Sequence, residues 1–220
     1  MRQRNIIILK IITWLACFVP LADMLVRGWG SYRHTEPDLG ANPVEYITLS
    51  TGTATLVLLL CSLAVTPLRR LSNWAWLIRF RRLLGLFAFF YGTLHLIIYF
   101  ALDREFDWSS TWADIMKRPF ITMGMLSFIL MVPLAITSTS WAIRKMGGSR
   151  WNALHKLVYV SGVAAIIHFW WKVKKDHTEP AFYGMILLVL FAARIVWWIK
   201  ESRKKNNSQP SASAAVQPQA

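Results

Sequence analysis

Cysteine is almost missing from this sequence, and acids are few. Cys17 and Cys61 both lie in apolar runs. They form no CxxC pair, no zinc-ligand spacing and no CxxCH motif, so they read as small apolar residues and do not report a redox compartment. No HExxH occurs, which removes the common helical zinc-hydrolase arrangement. No pair of segments repeats another. Eleven acids stand against 25 lysines and arginines, a formal charge of +14. In a soluble chain that balance would suggest nucleic acid. The hydropathy excludes this reading.

Long apolar runs are abundant. Hydrophobic residues make up 55% of the 220 positions, and the mean hydropathy is +0.38. Six runs, at 6–26, 47–66, 83–101, 119–137, 155–171 and 180–199, are near the roughly 20 residues needed to cross a bilayer. They are too long and too uniformly apolar for barrel strands. The expected fold is therefore an all-α membrane protein, a bundle of six transmembrane helices. The start, MRQRNIIILK, has the positive flank of a signal peptide. Its apolar stretch is long for that purpose and no clear small-x-small cleavage site follows, so we read a retained first helix.

The connecting segments alternate in charge. Basic residues gather at the N-terminus, in the 69–82 segment (Arg69, Arg70, Arg79, Arg81, Arg82), in the 144–156 segment and after Arg194. Ten of the eleven acids, all except Glu201, fall on the opposite side. The positive-inside rule then places both termini in the cytoplasm, with anionic headgroups as partners of the basic charge. The 69–82 arginines are topology determinants first, and a candidate surface for haem propionates or an acidic flavin donor second. Trp108, Trp112, Trp170 and Trp171 fall near the expected outer boundary, and Trp74, Trp76, Trp141 and Trp151 near the inner one, as interfacial anchors do. Gly85, Gly92 and Gly162 would let a neighbouring helix or a macrocycle approach closely. The polar tail from Asn206 reads as disordered. No connecting segment is long enough for a soluble catalytic domain.

The five histidines divide into two groups. His34 and His177 fall in outward loops and read as solvated. His95, His155 and His168 fall in spans, where an ionisable group marks function by default. His95 lies 13 residues after Arg82, about 20 Å along its helix, and His168 lies 12 after Lys156, about 18 Å. Their helices run in the same direction, so the two imidazoles share a level in the outer half of the membrane. That arrangement suits two axial ligands of one haem. His155, 13 residues before His168, sits near the inner surface, where a second haem could stack. On an ideal helix His155 and His168 would point well apart. Either Ser161–Gly162 distorts the helix, or the two serve different gaps. The matching inner position on the third helix is Arg82, which leaves one haem or two open. A proton or ion path, as in a small transporter, and purely structural histidines remain competing readings. Except for Asp23 near an outer end, the spans lack the acids a relay would use.

Several segments resemble the MsrQ family of bacterial inner-membrane haem proteins. They are LGANPVEYITLSTGTATL, RRLLGLFAFFYGTLHLIIYF, KRPFITMGMLSF, TSTSWAIRKMGGSRWNALHKLVYV and IIHFWWKVK, in order over most of residues 37–175. That family sits among ferric reductase-like membrane domains, some of which reduce iron or oxygen. The resemblance implies a haem b domain over 1–205, with His95, His168 and His155 as axial ligands of the haem iron. It implies an electron-transfer subunit rather than a catalytic one. Its donor would be the quinone pool or a cytoplasmic flavin reductase, and its acceptor a periplasmic molybdopterin subunit, MsrP, that repairs oxidised methionines. FMN is also implied, with no motif to place it.

Overall fold

The computed structural model describes residues 3–207, with side chains described to residue 204. The tail expected to be disordered lies outside the described residues from 208 onward. Nine α-helices form the described chain: α1 (Gln3–Arg33), α2 (Pro43–Ser72), α3 (Ile78–Ile98), α4 (Trp108–Lys117), α5 (Pro119–Ile136), α6 (Ser140–Met146), α7 (Gly148–Leu154), α8 (Leu157–Lys172) and α9 (Thr178–Asn207). Six helical segments are long and apolar enough to cross a membrane: Gln3–Arg33, Pro43–Ser72, Ala75–Asp103, Pro119–Ile136, Gly148–Lys172 and Thr178–Lys204. Each contains or closely matches one of the six expected runs.

Local chemistry sets the helix ends. Asn42 caps α2 by accepting from the Glu45 amide at 3.2 Å, and Pro43 occupies its first turn, where a missing N–H is no loss. Asn73 closes α2 in the left-handed region, φ 56°, a conformation asparagine tolerates. Asp107 caps the short α4, and Pro119 opens α5.

Two helix pairs pack most extensively, α2 with α3 and α5 with α8. Their shared core is Leu56, Leu59, Leu60 and Leu63 against Ala88, Met131 and Val158, completed by Leu187 and Leu190 of α9. The outward faces remain apolar: Ile7, Ile11, Leu15 and Val19 of α1, and Met185, Leu188 and Val189 of α9, are all exposed. In water these stripes would be a large defect. Against acyl chains they are the expected surface, with the backbone satisfied inside each helix.

Two prolines free backbone groups that distant side chains recover. Pro20 interrupts α1. The Tyr91 hydroxyl, fully buried, donates to the Cys17 carbonyl at 2.7 Å and accepts from the Leu21 amide at 3.2 Å. The phenol thus bridges a carbonyl and an amide on either side of Pro20 and ties α1 to α3. Tyr91→Phe should lower stability by about 1–2 kcal/mol, read as a drop in the melting temperature of detergent-solubilised protein. An unchanged value would mean that the bridge is dispensable. Pro67 likewise has no N–H to offer the Leu63 carbonyl. Arg194 of α9 donates to that carbonyl at 2.5 Å, bonds the Tyr159 hydroxyl and lies over the Tyr159 ring at 4.8 Å. An arginine inside a span is thereby held by acceptors and a π-face rather than by an acid.

The hydropathy reading did not contain α4, α6 or α7, which are short. It also did not foresee where the fifth span bends. The chain turns at His155–Lys156, between α7 and α8, while Ser161 and Gly162 lie within a continuous α8. Ser161 is tied to Ser127 of α5, Oγ to Oγ 3.1 Å apart. Gly162 lets Leu63 and Leu187 approach. The ideal-helix angle between His155 and His168 therefore has no meaning here, because no single helix carries both.

Candidate functional site

A cavity of about 590 Å³ opens between the α2–α3 pair and the α5–α8 pair. Its walls include Thr48, Gly52 and Thr55 of α2, Gly92 and His95 of α3, Phe120, Gly124 and Phe128 of α5, and Ala165 and His168 of α8. Tyr99, four residues beyond His95, lies in a single π-turn (Tyr99–Asp103) that continues α3 and lines one end of the cavity. Such turns often mark functional positions. The Tyr99 hydroxyl donates to Asp114 of α4 at 3.2 Å. Asp114, itself buried, is also bonded by Arg104 and by Arg118, the latter at 3.2 Å. This network fastens the amphipathic α4 across that end of the cavity and leaves Trp108, Trp112 and Met116 exposed on its other face.

The two imidazoles are held by the same device. His95 Nδ1 lies 3.0 Å from the Thr48 carbonyl of α2, and His168 Nδ1 lies 2.6 Å from the Phe120 carbonyl of α5. A carbonyl only accepts, so each Nδ1 carries the proton and each Nε2 keeps its lone pair. Four residues after each carbonyl, on the same helix face, comes a glycine. A methyl group at Gly52 would sit 3.1 Å from His95 Cε1, and one at Gly124 would sit 2.8 Å from His168 Nδ1. Each ring thus packs on bare backbone of the neighbouring helix, oriented by the carbonyl one turn earlier. Bonding of the distal nitrogen is how proteins fix the tautomer and direction of a metal-ligating histidine.

The two rings meet across the gap between the helix pairs. Their centroids are 6.2 Å apart, with planes at 84°. An imidazole nitrogen sits about 2 Å from the first-row metal it ligates, so two rings on opposite faces of one ion have centroids roughly 6 Å apart. The observed spacing leaves room for one metal ion between them. The described residues contain no cluster of three or more His, Cys, Asp or Glu that could hold a bare ion. Two neutral axial nitrogens need the remaining ligands from elsewhere, and the cavity offers space for a planar macrocycle that brings its own. The residues present fit a haem.

Residues 51–166 match the ferric reductase like transmembrane component family. A protein from Ralstonia nicotianae, the heme-binding subunit MsrQ of protein-methionine-sulfoxide reductase, is 51% identical over 192 residues, 86% of this chain and 85% of its own. The protein of the same description from Rhodospirillum rubrum is 45% identical over 202 residues, 92% of this chain and 93% of its own. That from Xanthomonas oryzae pv. oryzae is 42% identical over 214 residues, 97% of each chain. The chain belongs to the MsrQ family.

As an MsrQ-family chain it is a multi-pass membrane protein. The third span histidine is not part of the cavity. His155 Nε2 lies 3.0 Å from Thr137 Oγ1, whose own hydrogen goes to the Pro133 carbonyl. His155 is therefore the donor through Nε2, and its ring stacks on Trp151 at 3.9 Å between centroids. Trp151 is itself pinned by an indole hydrogen bond to the Thr137 carbonyl, so it braces His155 as well as marking a boundary. The residue that matched His155 by count, Arg82, lines a shallow cleft with Lys10 and Trp14 on the α1 side. Arg81, one position earlier, is the charge within electrostatic reach of His155. His177 stacks on Trp170 at 5.0 Å, outside the site. Sequence reasoning missed Gly52 and Gly124 in this MsrQ-family site. Their only sequence signal is a glycine inside an apolar run, which Gly85 and Gly162 share without touching a histidine.

Proposed function

We propose that this chain is the haem b electron-transfer subunit of a methionine sulfoxide reductase system, with His95 and His168 as axial ligands in the cavity between the helix pairs. The observation that carries the reading is the pair of imidazoles, each with Nδ1 tied to a backbone carbonyl, meeting 6.2 Å apart. A haem bound there supplies a one-electron carrier. The protein's contribution is to hold both Nε2 atoms unprotonated and aimed, and to surround them with apolar helix faces.

The charge asymmetry supports cytoplasmic termini in a bacterial inner membrane, which sets the cavity toward the periplasmic face. Electrons from the quinone pool or a cytoplasmic flavin reductase would pass outward to a periplasmic molybdopterin partner, MsrP. The membrane chain then carries no catalytic residue of its own. FMN rests on family resemblance alone, and we assign it no residues. The relatives' shared description as heme-binding subunits supports the cofactor.

We carry His155 as the ligand of a second, inner haem. Its half-buried place, before α8 begins and outside the His95–His168 cavity, supports this. The site fits only in part, since Nε2 must leave Thr137 and no second histidine faces it among the described residues. Pyridine haemochrome titration decides the count. His155→Ala should halve the haem per chain and leave the His95–His168 centre intact. Unchanged content would assign a single haem. The whole reading is tested by the reduced-minus-oxidised spectrum of the purified protein, where a Soret band and split α/β bands are expected. Their absence would return the three histidines to an ion path or a structural role.

A further inference from the structure

The cavity carries one cation, Lys172, with no ion-pair partner among the described residues. Lys172 ends α8, four residues beyond His168, so it projects from the same helix face about 6 Å further out along the axis. It lines the cavity together with four charged or polar groups at the mouth: Asn42, Glu45, Asp103 and Arg118. Each of these is engaged elsewhere. Glu45 accepts from the Asn42 amide at 3.0 Å, Asp103 faces Arg104 at 3.8 Å, and Arg118 is paired with Asp114. Neither carboxylate comes within ion-pair distance of Lys172 among the described residues, although both lie within electrostatic reach. An ammonium half-withdrawn from water beside an apolar cavity, with no acid on it, is an expensive arrangement unless the occupant brings the anion.

Resting on the haem reading above, we propose that Lys172 binds a carboxylate side chain of the tetrapyrrole and fixes which edge of it faces the periplasm. A point-charge ammonium on a flexible stem suits a carboxylate that arrives with its macrocycle. The bond would be charge-assisted, which makes it one of the stronger polar contacts. Lys172 is then a positioning residue. It also raises the midpoint potential of the centre, because a nearby cation favours the electron-rich state.

The test is a cycle in two dimensions. The full chain and Lys172→Gln are each loaded with protohaem and with protohaem dimethyl ester, which has no ionisable carboxylates. Release is timed by transfer to apomyoglobin. Lys172→Gln should release protohaem about tenfold faster, equivalent to about 1.4 kcal/mol, and its midpoint potential should fall. Lys172→Arg should restore most of both. With the ester, the full chain and the glutamine variant should release at the same rate. Equal release of protohaem from both proteins would overturn the proposal, as would an equal loss with acid and ester. Should Lys172→Gln not accumulate, the unaltered chain still decides, because equal retention of acid and ester excludes a carboxylate contact. Failure of the haem reading looks different: the unaltered chain would take up neither compound.

Discussion

His95→Ala and His168→Ala should each abolish the low-spin spectrum of the outer centre. Loss of a residue that merely orients a metal ligand weakens metal binding about 10–100-fold, and removing the ligand itself should exceed that. Neither α3 nor α8 lines the cavity with a second histidine, a cysteine or a methionine. The cavity lining contains no other histidine, no cysteine and, as the only sulfurs, Met125 and Met131. Both variants should still fold. The rings form hydrogen bonds to Thr48 and Phe120 carbonyls, but those carbonyls belong to continuous helices that retain their own ladder donors. The measurement pairs haem content with a melting curve. Loss of haem with a native-like melting transition is the expected result. Full haem content in either variant would remove the bis-histidine assignment.

Gly124→Ala should be nearly as damaging, although it adds only a methyl group and removes no ligand. The new carbon would sit 2.8 Å from His168 Nδ1 and 3.0 Å from Cε1, well inside van der Waals contact. The ring cannot retreat without breaking its 2.6 Å bond to the Phe120 carbonyl, and α5 and α8 are locked together by Ser127 and Ser161 in the buried core. His168 must therefore turn. We expect haem affinity to fall about 10–100-fold, the usual effect of losing a ligand's supporting bond, with a shift toward high-spin absorption. Gly52→Ala should follow in the same direction with a smaller effect, because its methyl would meet His95 at 3.1 Å. Gly148→Ala is the control, since nothing lies within 4 Å of the added carbon. Equal spectra for Gly124→Ala and Gly148→Ala would show that the ring is not seated on bare backbone.

These predictions separate two kinds of information. The six spans were legible because bilayer thickness fixes the length of an apolar helix, and every run longer than that reads the same in any context. The common level of His95 and His168 was legible for the same reason: rise per residue converts distance from a basic flank into depth. Arg194 was counted as a flank residue, yet it sits inside α9 because Pro67 on another helix leaves it a carbonyl to bind. Arg82 matches His155 by residue count, yet one residue of rotation turns it toward α1 and leaves Arg81 as the charge within electrostatic reach of His155.

By itself the sequence determined that this chain is a bundle of six apolar helices with two imidazoles at one depth. Hydropathy and helical rise are properties of each segment alone, so no neighbour is needed to read them. Only the tertiary structure decided that the imidazoles meet 6.2 Å apart, that the Thr48 and Phe120 carbonyls accept from their Nδ1 atoms, that Gly52 and Gly124 make room for them, and that His155 stands apart on Thr137. Those facts depend on the rotation of each helix about its axis and on which helices are neighbours. Both are set by packing between segments far apart in the chain, which no single segment encodes.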